Sequence, residues 1–163
     1  MILVYSSPWW RDIGLSGVLQ SSIGPLAFTR DSSSDIDEQF SLTCFLVGDS
    51  GRAWAKIPTA AERETNFLEH VKTLFAPILK EGKDLQMPIK VIEQIWTDEE
   101  WIWGCPCPVT ELGSLAKGAA KIRRQAFQRL HFIGTETSVE YQGYMEGAVA
   151  SGERGSKEVI ALF

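Results

Sequence analysis

The sequence predicts an α+β fold with a mixed, mainly antiparallel sheet, one capped helix, and a C-terminal strand and helix. Length and composition are the first observation: the chain has 163 residues, 44% of them hydrophobic and 23% charged, which is enough apolar material for a packed core and too much for a disordered chain. Short β-forming runs separated by polar turns are the second. Two longer segments with helical periodicity are the third.

Four segments have the composition of strands. Residues 2–5 form a short continuous apolar run ended by Ser-Ser-Pro, which indicates a buried strand. Residues 17–28 alternate weakly and predict a bent second strand, followed by a polar loop over residues 29–38. In residues 40–47 apolar side chains fall on both faces, as is typical of a central strand. These three predict an antiparallel meander, to which residues 89–96 add another strand.

A capped helix is predicted over residues 60–75. Thr59 followed by Glu62 has the spacing of a capping box, in which the threonine hydroxyl accepts from a backbone amide of the first turn. Four apolar side chains then share one face at helical spacing: Leu68, Val71, Leu74 and Phe75. Pro77 lacks an amide hydrogen and should end or kink the helix. His70 falls on the polar side, where we expect a solvated histidine.

The C-terminal part of the chain predicts a strand, a turn and a long helix. Residues 130–133 are mostly apolar and run straight into Gly-Thr-Glu-Thr. Residues 143–162 have a helical pattern in which small residues recur every four positions, at Gly147, Ser151 and Gly155. Another backbone can lie close to such a stripe. His131 alternates with apolar neighbours, and we expect a structural or interface role for it.

Composition argues against several classes of function. Sixteen Lys and Arg against 21 Asp and Glu give a net charge of −5, so the clustered cations of a nucleic-acid binder are not expected. Three cysteines, Cys44, Cys105 and Cys107, have neither a disulfide framework nor a zinc spacing, which favours an intracellular protein, cytoplasmic or organellar, without a metal. No long apolar stretch or basic leader indicates a membrane partner.

The Gly-Thr-Glu turn and the start of the last helix predict a ligand site. Backbone amides at Gly143, Tyr144 and Met145 would open the helix, whose positive end favours an anion or an electron-rich carbonyl. Glu136 can accept hydrogen bonds from hydroxyl groups. This arrangement suits a polyhydroxylated, partly anionic cofactor. The same residues are also compatible with an ordinary strand–turn–helix in which Glu136 is simply solvated.

Five sequence blocks carry a family resemblance across nearly the whole chain. In order they are PWWRDIGLSG, FSLTCFLVGDSGRAW, the AAERE helix, IWTDEEWIWGCPCP and HFIGTETSVEYQGYMEGAVASGERGSKEVI. Each resembles a successive block of the flavin-containing amine oxidases, the monoamine oxidase family, and GCPCPVTELGSL is closest to its fungal, non-covalent branch. The resemblance implies a partial substrate-binding domain over residues 1–128 and a flavin-binding strand–turn–helix over residues 129–163. The family's N-terminal dinucleotide-binding domain, with its Gly-x-Gly-x-x-Gly, is not matched.

The resemblance implies contacts with FAD in the C-terminal segment. Gly134, Thr135 and Glu136 match the turn that lies against the flavin ribityl and pyrophosphate groups. The amide of Met145 matches the one that faces the flavin pyrimidine carbonyl, and Gly143 belongs to the same helix start. The helix dipole there would stabilise negative charge on the reduced ring.

The resemblance also implies a substrate cage and a mode of flavin attachment. Tyr144 matches one aromatic wall of a cage that holds a small-molecule amine, and Trp96 matches a tryptophan over the flavin, although an ordinary half-buried core aromatic is the alternative for Trp96. Cys105 matches the cysteine that attaches to flavin in the covalent branch. Pro106 stands where the second cage aromatic would be, so we expect no covalent attachment.

The resemblance implies oxidation of an amine with FAD and oxygen by a complete family member. From this chain alone we expect no oxidase activity, no retained FAD, and association into a homo-oligomer. The alternative is a stand-alone short protein that acts without flavin, as a small-molecule binding module or as a non-redox isomerase or cyclase.

Overall fold

The computed structural model describes residues 1–79, 85–102, 104–105, 111–114, 118 and 120–163. These residues form two compact units, Met1–Ile95 and Trp96–Phe163. The strands and helices are β1 (Ile2–Tyr5), α1 (Trp9–Asp12), β2 (Phe28–Asp31), β3 (Phe40–Phe45), α2 (Gly48–Ala55), α3 (Ala60–Phe75), β4 (Lys90–Ile92), α4 (Ala120–Arg124) and α5 (Met145–Ile160). The predicted division at residue 128 into a substrate portion and a flavin portion stays a prediction.

A four-stranded antiparallel sheet organises the first unit. Its strand order is β2-β3-β1-β4, and Leu3 of β1 lies opposite Leu42 on one side and Val91 on the other. β3 lies inside the sheet, as its two-faced apolar pattern predicts, and its side chains Leu42 and Cys44 are buried. The predicted α+β class with an antiparallel sheet is confirmed.

The sheet differs from the predicted meander in its order and in its second strand. β1 pairs with both β3 and β4, and β2 covers Phe28–Asp31 instead of residues 17–28. Before β2 the backbone is held by a side chain, because the Thr29 hydroxyl donates to Gly17 O at 2.7 Å and accepts from Leu19 N at 2.9 Å. Gly17 has a φ of 77°. A positive-φ glycine and a local threonine bond therefore override the weak alternation.

Of two other predicted strands, residues 89–96 form a shorter strand and residues 130–133 form none. β4 ends at Ile92 and is followed by irregular residues and a 3-10 turn over Trp96–Asp98. In the described structure residues 130–133 form no strand and contribute only an isolated bridge between Phe127 and Leu130. The carbonyl of Phe132 accepts from an arginine side chain at 2.7 Å, so a side-chain contact replaces strand pairing there.

Helix α3 begins and ends where the sequence predicts. Thr59 Oγ1 accepts from Glu62 N at 3.2 Å, and the helix stops at Phe75, two residues before Pro77. Its buried residues are Phe67, Val71 and Phe75, whereas Leu68 and Leu74 pack at the margin of the core. The buried face of α3 is therefore rotated about the helix axis towards Phe67, a residue that the predicted apolar face did not include.

His70 on α3 is not the solvated histidine that the sequence predicts. A Cβ at Gly24 would overlap the His70 imidazole, so the ring lies against the backbone there. His70 Nε2 is buried without a hydrogen-bond partner among the described residues. Burial lowers the pKa of His70, and a hydrogen bond with the backbone of Ile23 opposes this shift.

The two units differ in what they bury. In the first, Tyr5, Trp9, Trp10 and Phe75 form a cluster of edge-to-face aromatic contacts. All the buried hydrophobic side chains of the described residues belong to this unit. In the second unit the buried residues are small or polar: Thr137, Gly147, Ser151 and Gly155.

An ion pair joins helices α2 and α3 to the chain after β4. Arg63 Nη2 lies 2.7 Å from Glu93 Oε2, both side chains being largely buried, and Trp54 Nε1 donates to Glu93 Oε1 at 3.2 Å. Burial by itself would raise the pKa of Glu93. Hydrogen bonds from Arg63 and Trp54 outweigh it and hold that pKa below its ordinary value.

Replacing Glu93 by glutamine is expected to lower the free energy of unfolding by about 1.5 kcal/mol at pH 7, because a neutral amide bonds a guanidinium less strongly. The pKa of Glu93 is lower in the folded state than its unfolded-state value of about 4.3, so the ionised carboxylate stabilises the fold at pH values above about 4.3. This contribution is lost as the pH falls through the folded-state pKa. The difference between parent and variant should therefore be smaller at pH 3 than at pH 7. Urea unfolding at both pH values measures it, with Glu64→Gln at an exposed site on α3 as the control. An undiminished difference at low pH contradicts the assignment.

Candidate functional site

The predicted Gly-Thr-Glu turn is a 3-10 turn over Thr135–Thr137. Gly134 precedes it with φ 130° and ψ 156°, a region of backbone space that is essentially restricted to glycine. Two side chains fix it: Gly134 N donates to Ser151 Oγ at 2.9 Å, and Thr137 Oγ1 donates to Gly134 O at 2.8 Å. The turn is thus bonded both to itself and to α5.

Thr135 connects this turn to the start of α5. Its hydroxyl donates to Tyr144 O at 2.9 Å and accepts from Gly143 N at 2.7 Å. Tyr141, just before, has a φ of 53°, and its carbonyl accepts from Tyr144 N at 3.0 Å. A left-handed tyrosine is a strained conformation of the kind that gathers at functional sites.

The small-residue stripe of α5 lets the helix approach its neighbours closely. Gly147, Ser151 and Gly155 are all buried. A Cβ at Gly147 would overlap the carbonyl oxygen of Tyr141, and one at Gly155 would overlap Ile133 Cγ2. The close backbone approach that the spacing predicts therefore occurs at Gly147.

Six of the seven predicted cofactor and substrate residues come together at this turn and helix start: Gly134, Thr135, Glu136, Gly143, Tyr144 and Met145. Tyr144 is the N-cap of α5, and no side chain among the described residues caps that end. The side chains of Tyr144 and Met145 are 71% and 89% exposed, and Glu136 is exposed too. The positive end of α5, a carboxylate and an aromatic ring therefore share one accessible surface.

Trp96 is not joined to this group. It lies in the 3-10 turn Trp96–Asp98, about two-fifths exposed, and within the described ranges no ring contact or hydrogen bond links it to Tyr144. Cys105 is a free, exposed thiol. Pro106, which stands at the expected cage position, and Cys107 lie outside the described residues.

The residues at the turn fit part of a flavin cofactor. Amides in the first turn of a helix have no intrahelical acceptor, and at α5 no described side chain takes that place. They can therefore bond a phosphate or a ring carbonyl. Glu136 can accept from ribityl hydroxyl groups, and Gly134 and Gly143, at φ 130° and 88°, leave the backbone open to a close ligand.

The described residues contain neither a metal-binding cluster nor a helix that could span a membrane. They contain no group of three His, Cys, Asp or Glu side chains placed to hold a metal ion. None of the described helices is both long and apolar enough to cross a bilayer.

Sequence reasoning missed the side chains that hold the turn in place: Thr137, Arg154 and Glu158. Arg154 contacts Thr137, 17 residues earlier in the sequence, and no spacing rule connects those two positions. Arg154 and Glu158 are four residues apart on the same helix, a spacing that allows an ion pair but does not indicate what else the arginine contacts. Ser151 was predicted only as a small residue. Its hydroxyl adds a bond that the pattern of small residues does not indicate.

The comparison with known proteins covers nearly the whole chain. The family described as flavin containing amine oxidoreductase matches residues 1–160. The probable flavin-containing monoamine oxidase A of Dictyostelium discoideum is 33% identical over 158 residues, which are 97% of this chain and 33% of that protein. The flavin-containing amine oxidase B of Homo sapiens is 30% identical over 161 residues, 98% of this chain and 30% of that protein.

Solved structures give the same result. Wild-type putrescine oxidase bound to putrescine has a TM-score of 0.78 at 26% identity, covering 98% of this chain and 34% of that one. Cyclohexylamine oxidase from Brevibacterium oxydans IH-35A has a TM-score of 0.73 at 29% identity, covering 97% and 33%. The chain spans about a third of the length of the curated relatives it matches. By sequence and by structure, the chain belongs to the flavin-containing amine oxidoreductase family.

Proposed function

We propose that this chain supplies the C-terminal, flavin-facing portion of a flavin-dependent amine oxidase. The observation that carries the proposal is the Gly134 turn bonded through Thr135 to the uncapped start of α5. Family membership over residues 1–160 supports it. When bound, FAD supplies the electron acceptor for oxidation of a C–H bond beside an uncharged amine, and oxygen takes the electrons in turn.

Each residue of the site has a role in holding cofactor or substrate. Glu136 accepts hydrogen bonds from the cofactor's hydroxyl groups, and Gly134 and Thr135 offer backbone beside its pyrophosphate. The Met145 amide donates towards a ring carbonyl, where the positive end of α5 favours negative charge. Tyr144 presents its exposed ring as one wall for the substrate amine.

For the substrate we propose a small aliphatic primary amine. Two structural neighbours support this choice, since one is a putrescine oxidase bound to putrescine and the other a cyclohexylamine oxidase. An aromatic wall favours an amine with an apolar body that packs on the ring face. Trp96 remains a candidate for a second contact above the flavin.

The purified 163-residue chain is expected to lose FAD during purification. The contacts at Glu136 and Met145 are a few hydrogen bonds worth about 0.5–1.5 kcal/mol each, against an association cost of about 4–15 kcal/mol. Oxidase activity should be absent for the same reason. The visible absorption spectrum, with a titration of added FAD, measures this. A yellow protein or micromolar affinity contradicts the expectation and supports a more complete flavin site.

Self-association is expected because the second unit leaves apolar side chains uncovered. Trp101, Leu112, Met145, Ile160 and Phe163 are each more than two-thirds exposed. Contiguous apolar surface beyond a few hundred Å² is rare on a soluble monomer, and we propose that copies of this chain cover it as a homodimer or higher oligomer. Light scattering from micromolar to high micromolar concentration measures the mass. A constant 18.2 kDa over that range contradicts the proposal.

A further inference from the structure

Arg154 of α5 contacts the chain before the turn Thr135–Thr137 and the last residue of that turn, which we call the flavin-facing turn. Its Nη2 donates to Phe132 O at 2.7 Å and to Thr137 Oγ1 at 3.0 Å. Thr137 in turn donates to Gly134 O at 2.8 Å. One guanidinium therefore holds the chain just before the turn and the residue that closes it.

The guanidinium is itself held in place. Arg154 Nη1 lies 2.6 Å from Glu158 Oε1, and the other oxygen of that carboxylate lies 2.9 Å from Nδ1 of His131. The His131 side chain is only 10% exposed, so the group is well packed on this side. Because the guanidinium group is planar and has a charged partner, it loses little conformational entropy when it donates to several acceptors at once.

Arg154 does not belong to the ligand surface. It lies ten residues after Tyr144, which in an α-helix is about 15 Å along the axis. Its contacts are with Phe132 and Thr137, on either side of Thr135 and Glu136, whereas Thr135 bonds Gly143 and Tyr144. The turn is thus held to α5 at three places along the helix, by Thr135 near its start, by Ser151 and by Arg154.

We propose that Arg154 is a positioning residue for the flavin-facing turn. By fixing Thr137 and the Phe132 carbonyl on α5, it sets where Glu136 stands relative to the Met145 amide, so that both reach the same cofactor. The inference rests on the proposed function, because it assigns a purpose to a contact network in the part of the chain that faces flavin.

The test uses two matched pairs of variants in the 163-residue chain. Thr137→Val removes the acceptor for Arg154, whereas Thr137→Ser keeps the hydroxyl. Arg154→Lys keeps the charge but cannot form the bridge, whereas Lys157→Gln removes an exposed cation of the same helix. NMR measures amide hydrogen exchange at residues 137 and 138, and the amide shifts of Glu136 and Met145 on addition of FAD to about 1 mM, where weak binding is visible.

We expect Arg154→Lys and Thr137→Val to raise exchange at residues 137 and 138 at least about tenfold, and to lose the FAD-induced shifts. Thr137→Ser and Lys157→Gln should keep the parent values. Unchanged exchange, or unchanged FAD shifts, in both disruptive variants overturns the role of Arg154. If the parent itself gives no FAD shifts at Glu136 and Met145, the positioning role towards flavin is overturned, whereas the proposed function, which expects little affinity of this chain alone for FAD, is not.

Discussion

Replacing Phe67 by alanine is expected to lower the free energy of unfolding of the first unit by about 3–5 kcal/mol. Phe67 is fully buried, and its ring meets Trp54 edge to face at 5.9 Å. Truncation removes the transfer free energy of the phenyl group and leaves a cavity between α2 and α3 that the packed surroundings fill only in part. Denaturant unfolding followed by tryptophan fluorescence gives the change.

The matched control is Leu68→Ala, one position along α3. Leu68 is only half-buried and packs against the edge of the core, so less apolar area is lost and water can fill the space. Its cost should be clearly smaller than that of Phe67→Ala. Equal losses would mean that the buried face of α3 is centred on Leu68, as the sequence alone predicts.

Local signals in the sequence predict local structure well. Thr59 and Glu62 are three residues apart, and their capping bonds define the start of α3 without help from the rest of the chain. The Gly-Thr-Glu turn is predicted for a similar reason, because Gly134 at φ 130° adopts a conformation that other residues avoid. Apolar side chains on both faces of β3 indicate a strand that is covered on both sides, and its position inside the sheet can be predicted for that reason.

Structure that depends on distant partners cannot be predicted in this way. β1 lies between β3 and β4 because of pairings such as Leu3 with Leu42 and with Val91, and no local pattern encodes that choice. Helix α1 is a single short turn that buries Trp9 and Trp10, and its sequence has no periodicity to detect. The same holds for Arg154, whose partners lie 17 and 22 residues earlier.

The candidate site shows the same division between local and distant signals. The turn and the helix start are close in sequence, and the residues predicted there lie together. Trp96 comes from a segment almost fifty residues away, and its place relative to Tyr144 depends on contacts that a one-dimensional pattern does not contain. The role of Trp96 above the flavin therefore stays a prediction.

Glycine 147 is expected to be the most sensitive position of α5, and Gly152 of the same helix provides the comparison. A Cβ at Gly147 would overlap the Tyr141 carbonyl and lie 2.8 Å from Thr135 Oγ1, whereas a Cβ at Gly152 has nothing within 4 Å. Gly152→Ala should stabilise α5 by about 1 kcal/mol through helix propensity alone. Gly147→Ala gains the same propensity but must displace backbone, which costs about 1–3 kcal/mol or more.

The propensity gain is common to both alanine variants, so they are expected to differ by the displacement cost of about 1–3 kcal/mol or more in the local stability of α5, measured by native-state hydrogen exchange. The displaced group in Gly147→Ala is the Tyr141 carbonyl, which accepts from Tyr144 N, so the change moves the N-cap residue of α5, whose ring we propose as one wall of the substrate site. The absence of a side chain at Gly147 therefore affects both the stability of α5 and the position of Tyr144. Equal stabilisation by both substitutions would mean that α5 does not lie against Tyr141, and the close packing of turn and helix on which the proposed flavin site depends would be wrong.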